Sequence, residues 1–356
     1  PELILDDTPH GRLFVLNSDQ ETISVLDPAT NTVAKTISLL SAPDAPTGVF
    51  PLGAALSPDA KTLYVAAANK NALVVVDLDT LAIKGSVPVG WYPNAVAVSP
   101  DGATLYVLNA KGEGSGPNAG DQYVGDLMDG TVSIVATPDV AALAELTRKA
   151  DANLLRTTTF FPSQCQGQAF PIPEKSGDPS PIKHVIFVLK ENRTFDQVFG
   201  DFEGAERDPS LLMFGEQITP NAHKLAREFT LLDNYYCESE ISVQGHLWAT
   251  GMVVNDHSER TWLLPGDLGL GPLSGVEPAT MPLNPMIFRH LYDNKIDFVD
   301  YGQIVGMGGQ DAVIADHWDQ SYPGVVYSTA IKDVVKVDYV KKMQAEAESA
   351  YRSKIK

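Results

Sequence analysis

The sequence predicts two parts with different folds: an incomplete β-propeller of about three blades over residues 1–137, and an α/β domain over residues 181–356. Three observations predict this division. Short strands recur at a nearly constant spacing in the first part, a segment rich in Pro and Gly follows, and a continuous apolar run opens the second part. A chain of 356 residues, 44% of them hydrophobic and 20% charged, is long enough for two cores.

The first part contains three copies of one pattern. Strands that read LFV or LYV begin at Leu13, Leu63 and Leu105, 50 and then 42 residues apart. Repeats of about 40–50 residues with about four strands each are typical of propeller blades. Because three blades are too few to close a ring, either further blades lie outside this sequence or another copy completes the circle. From the sequence we favour further blades.

Turn-forming residues separate the predicted strands. Asp27 and Asp77 end strands and are followed by turn formers, and an SPD triplet precedes the next strand at 57–59 and 99–101. These residues favour side-chain-to-backbone turns. The insertion Lys111–Gly130 is predicted to be a solvent loop, because a phosphate-binding Gly loop needs a helix after it and no helical pattern follows.

Residues 138–180 connect the two parts. Apolar residues at helical spacing predict a connecting helix within 138–156, and the Pro-, Ser- and Gly-rich stretch after it predicts a linker.

The second part opens on the run HVIFVL at 184–189, which predicts a strand buried on both faces of a parallel sheet. Polar groups that follow such a strand point into the crevice where α/β enzymes bind ligands. Glu191 and Asn192 are oxygen donors suited to a divalent cation there. The alternative is a turn with a helix cap from Asn192 or Thr194.

A second candidate segment is SVQGHLWATG, which begins at Ser242. A serine at a helix N-terminus has free backbone N–H groups and the positive end of the dipole beside its oxygen, a setting suited to a phosphoryl group. The alternative is an ordinary N-cap. His246 lies four residues later on the same helical face and is a candidate substrate or metal contact, or a structural histidine. The spacing of the other histidines predicts no ligand role.

Composition excludes some partners. The net charge of −19 argues against nucleic acid, and no apolar stretch is long enough to span a membrane. Cys165 and Cys237 are the only two cysteines, and the sequence leaves open whether they form a disulfide.

Both parts resemble known families. The segments TLYVAAANKNALVVVDLDT and TLYVLNAKG resemble YVTN-type propellers. The segment SPIKHVIFVLKENRTFDQVFGDF resembles the opening of the phosphoesterase family of bacterial phospholipases C and acid phosphatases, which is similar to the alkaline-phosphatase superfamily. The order of the two parts is similar to that of bimodular bacterial proteins, which implies a periplasmic or extracellular location.

The resemblance implies metal-dependent hydrolysis of phosphate esters through a serine phospho-enzyme. It implies Ser242 as nucleophile and metal ligand, Glu191 and Asn192 as metal ligands, and a divalent metal of open identity. Relatives carry further ligands on a later Asp- and His-rich segment that this sequence lacks, so we expect the isolated chain to be inactive. The alternative is a non-catalytic surface protein whose propeller binds a partner.

Overall fold

The computed structural model describes residues 1–40, 48–114, 120, 122–154, 171–172, 179–190, 192–237, 239, 242–252, 254–261, 286–302, 317, 319, 321–323 and 330–354. The chain divides into two compact units. The first comprises Pro1–Leu155 and Val243–Lys356, and the second comprises Arg156–Ser242.

The described residues up to 136 contain three antiparallel sheets of four, four and three strands, in the manner of propeller blades. The strands of each sheet follow one another in sequence order. The first sheet contains β1 (Leu3–Asp7), β2 (Arg12–Asn17), β3 (Thr22–Asp27) and β4 (Thr32–Ser38). The second contains β5 (Pro51–Leu56), β6 (Thr62–Ala67), β7 (Ala72–Asp77) and β8 (Ala82–Pro88), and the third contains β9 (Trp91–Val98), β10 (Thr104–Gly112) and β11 (Thr131–Ala136). The predicted repeat is therefore confirmed.

The polar turns form as predicted. The Asp77 carboxylate accepts the Thr80 N–H at 2.8 Å. In the SPD turns, the Ser57 hydroxyl donates to Asp59 at 2.6 Å and accepts the Thr62 N–H at 2.9 Å. The Lys84 ammonium, followed by the Thr80 N–H and hydroxyl, lowers the pKa of Asp77 by stabilising its charged form. The Ser57 hydroxyl, followed by the Lys61 N–H, lowers the pKa of Asp59 in the same way.

The sheets stack face to face, and two apolar cores lie between them. Phe14 and Leu16 of the first sheet pack against Leu63 and Val65 of the second. On its other face the second sheet packs against the third, and the residues involved are Tyr64, Ala66, Leu73, Val75, Leu105 and Val107. Strand alternation produces both cores, because successive side chains of β6 point to opposite faces.

The strands β1, β5 and β9 begin their respective sheets, and the sequence analysis did not single them out. They lie side by side, β5 between the other two. Gly53 in β5 makes this approach possible, since a Cβ there would meet the Asn94 carbonyl oxygen at 2.5 Å.

Helix α1 (Val140–Asn153) confirms the predicted connecting helix. It begins at the N-cap Asp139, whose carboxylate accepts the Ala142 N–H at 2.8 Å. The helix packs on β8, the last strand of the second sheet, where Thr147 Oγ accepts the Ser86 N–H at 2.9 Å. It therefore covers a sheet edge that would otherwise expose strand hydrogen-bonding groups.

The later described residues form helices and irregular segments. The helices are α2 (Phe195–Phe199), α3 (Pro220–Glu228), α4 (Ser242–Gly251), α5 (Asp256–Thr261), α6 (Ile287–Asp293) and α7 (Asp333–Lys354). No helix in the described ranges combines the length and apolar character that a membrane crossing requires.

The prediction of a buried strand at 184–189 is wrong for this structure. These residues are described without regular secondary structure, and Val185 and Ile186 are 81% and 73% exposed. The physical reason is that a parallel strand forms only by hydrogen bonding to neighbours that are distant in sequence. The described residues after 180 supply no such strand, so a local apolar run does not become one, and an α/β sheet is not seen among them.

Candidate functional site

The residues that follow the apolar run form a short turn and a helix start. Asn192 is exposed, and the Arg193 guanidinium lies over the Phe214 ring, 4.9 Å from its centroid. Thr194 is the N-cap of α2, and its backbone N–H donates to Gln197 Oε1 at 3.3 Å. The helix cap that the sequence allowed at Thr194 is therefore present. Glu191 lies outside the described residues, and the metal role of Asn192 stays a prediction.

Ser242 is the first residue of α4, the position that the sequence predicted for it. Its side chain lies outside the described part of the structure. His246 is half-buried one turn later on the same helix. The predicted meeting of Glu191, Asn192 and Ser242 remains a prediction, because two of the three side chains are not described.

Within the described ranges, no three His, Cys, Asp or Glu side chains form a group that could hold a metal ion. Cys237 is exposed and forms no disulfide with a described residue; Cys165 lies outside the described residues, so the pairing of the two cysteines stays open.

His223 is fully buried in the second unit, and its ring is held by neighbours. Nε2 lies 2.8 Å from Asp201 Oδ1, and Nδ1 lies 3.0 Å from the Thr219 carbonyl oxygen. The Glu216 N–H donates to the same aspartate at 2.8 Å. This hydrogen bond, followed by the one with His223, lowers the pKa of Asp201. His223 is thus held in place by hydrogen-bond partners at both ring nitrogens.

The structure contains a buried polar group that the sequence analysis missed, which we call the α5 cluster: Tyr92, Lys111, Asp256, Glu259 and Arg260. The Tyr92 hydroxyl donates to Asp256 Oδ1 at 2.9 Å, and Lys111 pairs with Glu259. Arg260 lies 2.6 Å from Asp256. Because 164 residues separate Tyr92 from Asp256, the cluster joins α5 to the third sheet.

The same helix also contacts the first sheet and its turns. The Asp256 backbone N–H donates to Asp19 Oδ1 at 3.2 Å, and Arg260 lies 2.9 Å from Glu2 Oε2. The helix α5 therefore bridges the first and the third sheets of the repeat array.

Burial sets the electrostatics of this cluster. Asp256 and Glu259 are 1% and 4% exposed. Desolvation raises the pKa of Asp256, and the positive charge of Arg260 opposes that rise. Desolvation, followed by the Asp256 and Glu259 charges, raises the pKa of Tyr92 well above its ordinary value, so Tyr92 remains a neutral donor. The Lys111 ammonium also lies 5.0 Å from the centroid of the Tyr92 ring, where a cation is attracted.

The α5 cluster is suited to holding α5 in place. Buried charges require paired and hydrogen-bonded partners. Each buried carboxylate of the cluster has a cationic partner, and Asp256 also accepts a hydrogen bond from the Tyr92 hydroxyl. No pattern in the segment DHSERT marks it in the sequence, because its partners lie up to 258 positions away, as the pair of Arg260 and Glu2 shows.

Comparisons with known proteins give only weak structural likeness. No protein-family model matches the chain, and no curated protein matches it. Among solved structures, hydrazine synthase of Kuenenia stuttgartiensis is 27% identical at a TM-score of 0.27, over 30% of this chain and 28% of that chain. A putative 6-phosphogluconolactonase of Bacteroides fragilis is 19% identical at 0.27, over 31% and 32%. The dihydro-heme d1 dehydrogenase NirN in complex with DHE is 19% identical at 0.27, over 39% and 24%.

The matched part spans about a quarter to a third of the length of these proteins. A TM-score of 0.27 does not establish a shared fold. The blade-like arrangement rests on the three antiparallel sheets and the two cores between them.

Replacing Lys111 with methionine should lower the stability of the first unit by up to about 3 kcal/mol, because the buried Glu259 carboxylate loses its cation. Thermal unfolding followed by circular dichroism measures the effect. The matched control is Lys149→Met, which removes an exposed lysine 4.0 Å from Glu145 and should cost less than about 0.5 kcal/mol. Equal melting temperatures for the two variants would contradict the role given to the α5 cluster.

The variant Asp256→Asn should reveal the raised pKa of Asp256. Because the pKa of Asp256 is raised above its ordinary value of 3.8 in the folded protein, the folded chain binds this proton more tightly than the unfolded chain. The stability that comes from this difference is fully present below the ordinary pKa and is lost as the pH rises through the raised pKa. The melting temperature of the wild-type chain minus that of Asp256→Asn should therefore fall as the pH rises above the ordinary pKa of 3.8. A difference that is constant or increases with pH would contradict a raised pKa for Asp256.

Proposed function

We propose that the protein hydrolyses phosphate esters with a divalent metal ion, through a covalent intermediate on Ser242. The observation that supports this proposal is the position of Ser242 as the first residue of a ten-residue helix. The order of the segments HVIFVL, ENRTFD and SVQGHLWATG adds to it, because this order resembles the phosphoesterase family.

The first residues of a helix carry backbone N–H groups without a partner inside the helix. In the proposed site the Ser242 oxygen, and a phosphoryl group bonded to it, would lie near these donors and near the positive end of the helix dipole. Negative charge that develops on the phosphoryl oxygens would be stabilised there. A hydroxyl in this position is suited to in-line attack on phosphorus.

In the proposed reaction the Ser242 oxygen forms a bond to phosphorus while the bond to the ester oxygen breaks, and the alcohol leaves with a proton. Water then cleaves the phosphoserine and releases phosphate, or a phosphomonoester if the substrate is a diester. His246 is the candidate contact for the substrate, one helical turn from Ser242.

Glu191, Asn192 and Ser242 are the residues that would hold the metal, and their carboxylate, amide and hydroxyl oxygens suit a hard divalent cation. When bound, the metal would polarise the phosphoryl group and favour the ionised serine. The later Asp- and His-rich segment of similar proteins would complete such a site, so the activity is proposed for a protein that includes it.

A second candidate function is partner binding by the blades, without chemistry. The stacked sheets favour it, because propeller sheets serve as interaction platforms in many unrelated proteins. The substrate of the first candidate and the protein partner of the second are both proposals, as is a periplasmic or extracellular location.

Replacing Ser242 with alanine in the full-length protein should reduce hydrolysis of p-nitrophenyl phosphate and bis(p-nitrophenyl) phosphate by roughly 10³-fold or more, since the nucleophile is lost. The control is Ser210→Ala, an exposed serine whose hydroxyl donates to Asp208 at 2.6 Å. Activity that survives the Ser242 substitution would refute the assignment.

Divalent ions separate the two candidate functions. A metal that binds only the folded protein raises its melting temperature. The metalloenzyme proposal therefore expects Mg²⁺, Ca²⁺, Mn²⁺ or Zn²⁺ to stabilise the full-length protein, and expects the double variant Glu191→Gln, Asn192→Ala to lose that stabilisation. A melting temperature that responds to none of these ions would favour the binding protein.

A further inference from the structure

The helix that begins at Ser242 is buried along one face. Gln244, Leu247 and Thr250 follow one another at intervals of three residues, and they are 3%, 0% and 2% exposed. Residues at this spacing are neighbours on one side of a helix. Because Gln244 and Thr250 are polar, their burial is favourable only where their hydrogen-bonding groups have partners.

The partner of Gln244 lies on the next helix. Its Nε2 donates to the Ser258 carbonyl oxygen of α5 at 3.1 Å, and both residues are buried. Thr250 differs, because its hydroxyl donates to the His246 carbonyl oxygen of its own helix at 2.6 Å. The Gln244 bond therefore joins α4 to α5 two residues after Ser242, whereas the Thr250 bond stays within α4.

The blades hold α5 in turn. Tyr92 and Lys111 of the third sheet contact Asp256 and Glu259, and the Asp256 N–H donates to Asp19 beside the first sheet. The link from the blades to the start of α4 is therefore continuous: it runs from the third sheet to α5, and from α5 through the side-chain amide to the backbone of α4.

A directed hydrogen bond limits how α4 can move. Apolar contacts such as those of Leu247 allow a helix to slide or rotate, and a shift by one residue turns it by about 100° and moves it by about 1.5 Å. The bond from Gln244 to the Ser258 carbonyl opposes such a shift, because the buried amide would lose its partner. The same bond thus sets the direction in which α4 presents position 242.

We propose that Gln244 is a positioning residue for the reaction of Ser242, and that the blades contribute to that reaction through α5. This inference rests on the proposed function of Ser242. Positions 242 and 244 are about 200° apart around the helix axis, so Gln244 acts on the helix and not on the substrate. A nucleophile displaced by about 1 Å can lose about 10²-fold in rate, which is the scale of effect that this role implies.

Two substitutions in the full-length protein test the role of Gln244. Gln244→Met keeps the size of the side chain and removes the bond to Ser258, and the matched control Thr250→Val removes a buried hydrogen bond on the same helix face. Hydrolysis of p-nitrophenyl phosphate or bis(p-nitrophenyl) phosphate, whichever the wild-type protein cleaves faster, is measured well below the melting temperature of every variant. We expect Gln244→Met to lower kcat by roughly 10- to 100-fold at a nearly unchanged KM, and Thr250→Val to keep kcat within about twofold of wild type.

A substitution in the blades tests the rest of the link. Lys111→Met removes the cation beside the buried Glu259 carboxylate and should also lower kcat more than KM changes, whereas the exposed control Lys149→Met should leave both constants unchanged. Wild-type kcat in a folded Lys111→Met protein would overturn the contribution of the blades. If Gln244→Met does not fold, Gln244→Leu serves as a second apolar replacement.

The outcomes separate this inference from the proposed function. Wild-type kcat in a folded Gln244 variant, in a protein that Ser242→Ala inactivates, would overturn the positioning role and leave the proposed function intact. Equal losses of kcat in Gln244→Met and Thr250→Val would also overturn it, because the packing of α4 would then explain both. Activity that survives Ser242→Ala, or a wild-type protein that hydrolyses neither substrate, would contradict the proposed function and this inference together.

Discussion

The burial of alternate apolar side chains between stacked antiparallel sheets is the constraint on which this structure depends. Tyr64 and Val65 are neighbours in β6, yet one is buried against the third sheet and the other against the first. Each fully buried side chain of this size contributes about 1.5–3 kcal/mol. A sheet with two apolar faces therefore needs a neighbour on each side, and the second sheet has both.

The same constraint explains the exposed outer face of the third sheet. Tyr106 and Ile134 form the pair there that corresponds to Phe14 with Val25 in the first sheet. Phe14 and Val25 are buried, at 0% and 2% exposed, because the second sheet packs on them, whereas Tyr106 and Ile134 are 42% and 70% exposed. Among the described residues no sheet follows the third one, so this face keeps the apolar residues of the repeat without a covering sheet.

The α5 cluster links a later segment to the repeats by a different kind of interaction. Buried ion pairs contribute little net stability but strongly penalise the loss of one partner, so they select one position of α5 over others. Asp256 makes three such contacts. Its carboxylate accepts hydrogen bonds from Tyr92 and Arg260, and its backbone N–H donates to the Asp19 carboxylate. The apolar cores provide the stability, and the polar cluster provides the specificity of the attachment.

The sequence by itself determined the features that depend on near neighbours. Strand alternation, the Asp and SPD turns, helix α1 and the helix start at Ser242 all follow from residues within a few positions of one another, where backbone geometry and local hydrogen bonds decide the outcome. Of the candidate site, the helix starts at Thr194 and Ser242 depend on near neighbours and are present in the structure. The meeting of the predicted site residues stays a prediction.

Only the tertiary structure decided the features that require distant partners. The run at 184–189 reads as a buried strand, but burial depends on strands far along the chain, and the described residues leave Val185 exposed. DHSERT reads as an ordinary polar segment, yet it places Asp256 and Glu259 among the most buried charges. The reason is the same in both cases: a sequence window specifies the shape and polarity of a segment, whereas the energy of burying it belongs to contacts that only the folded chain brings together.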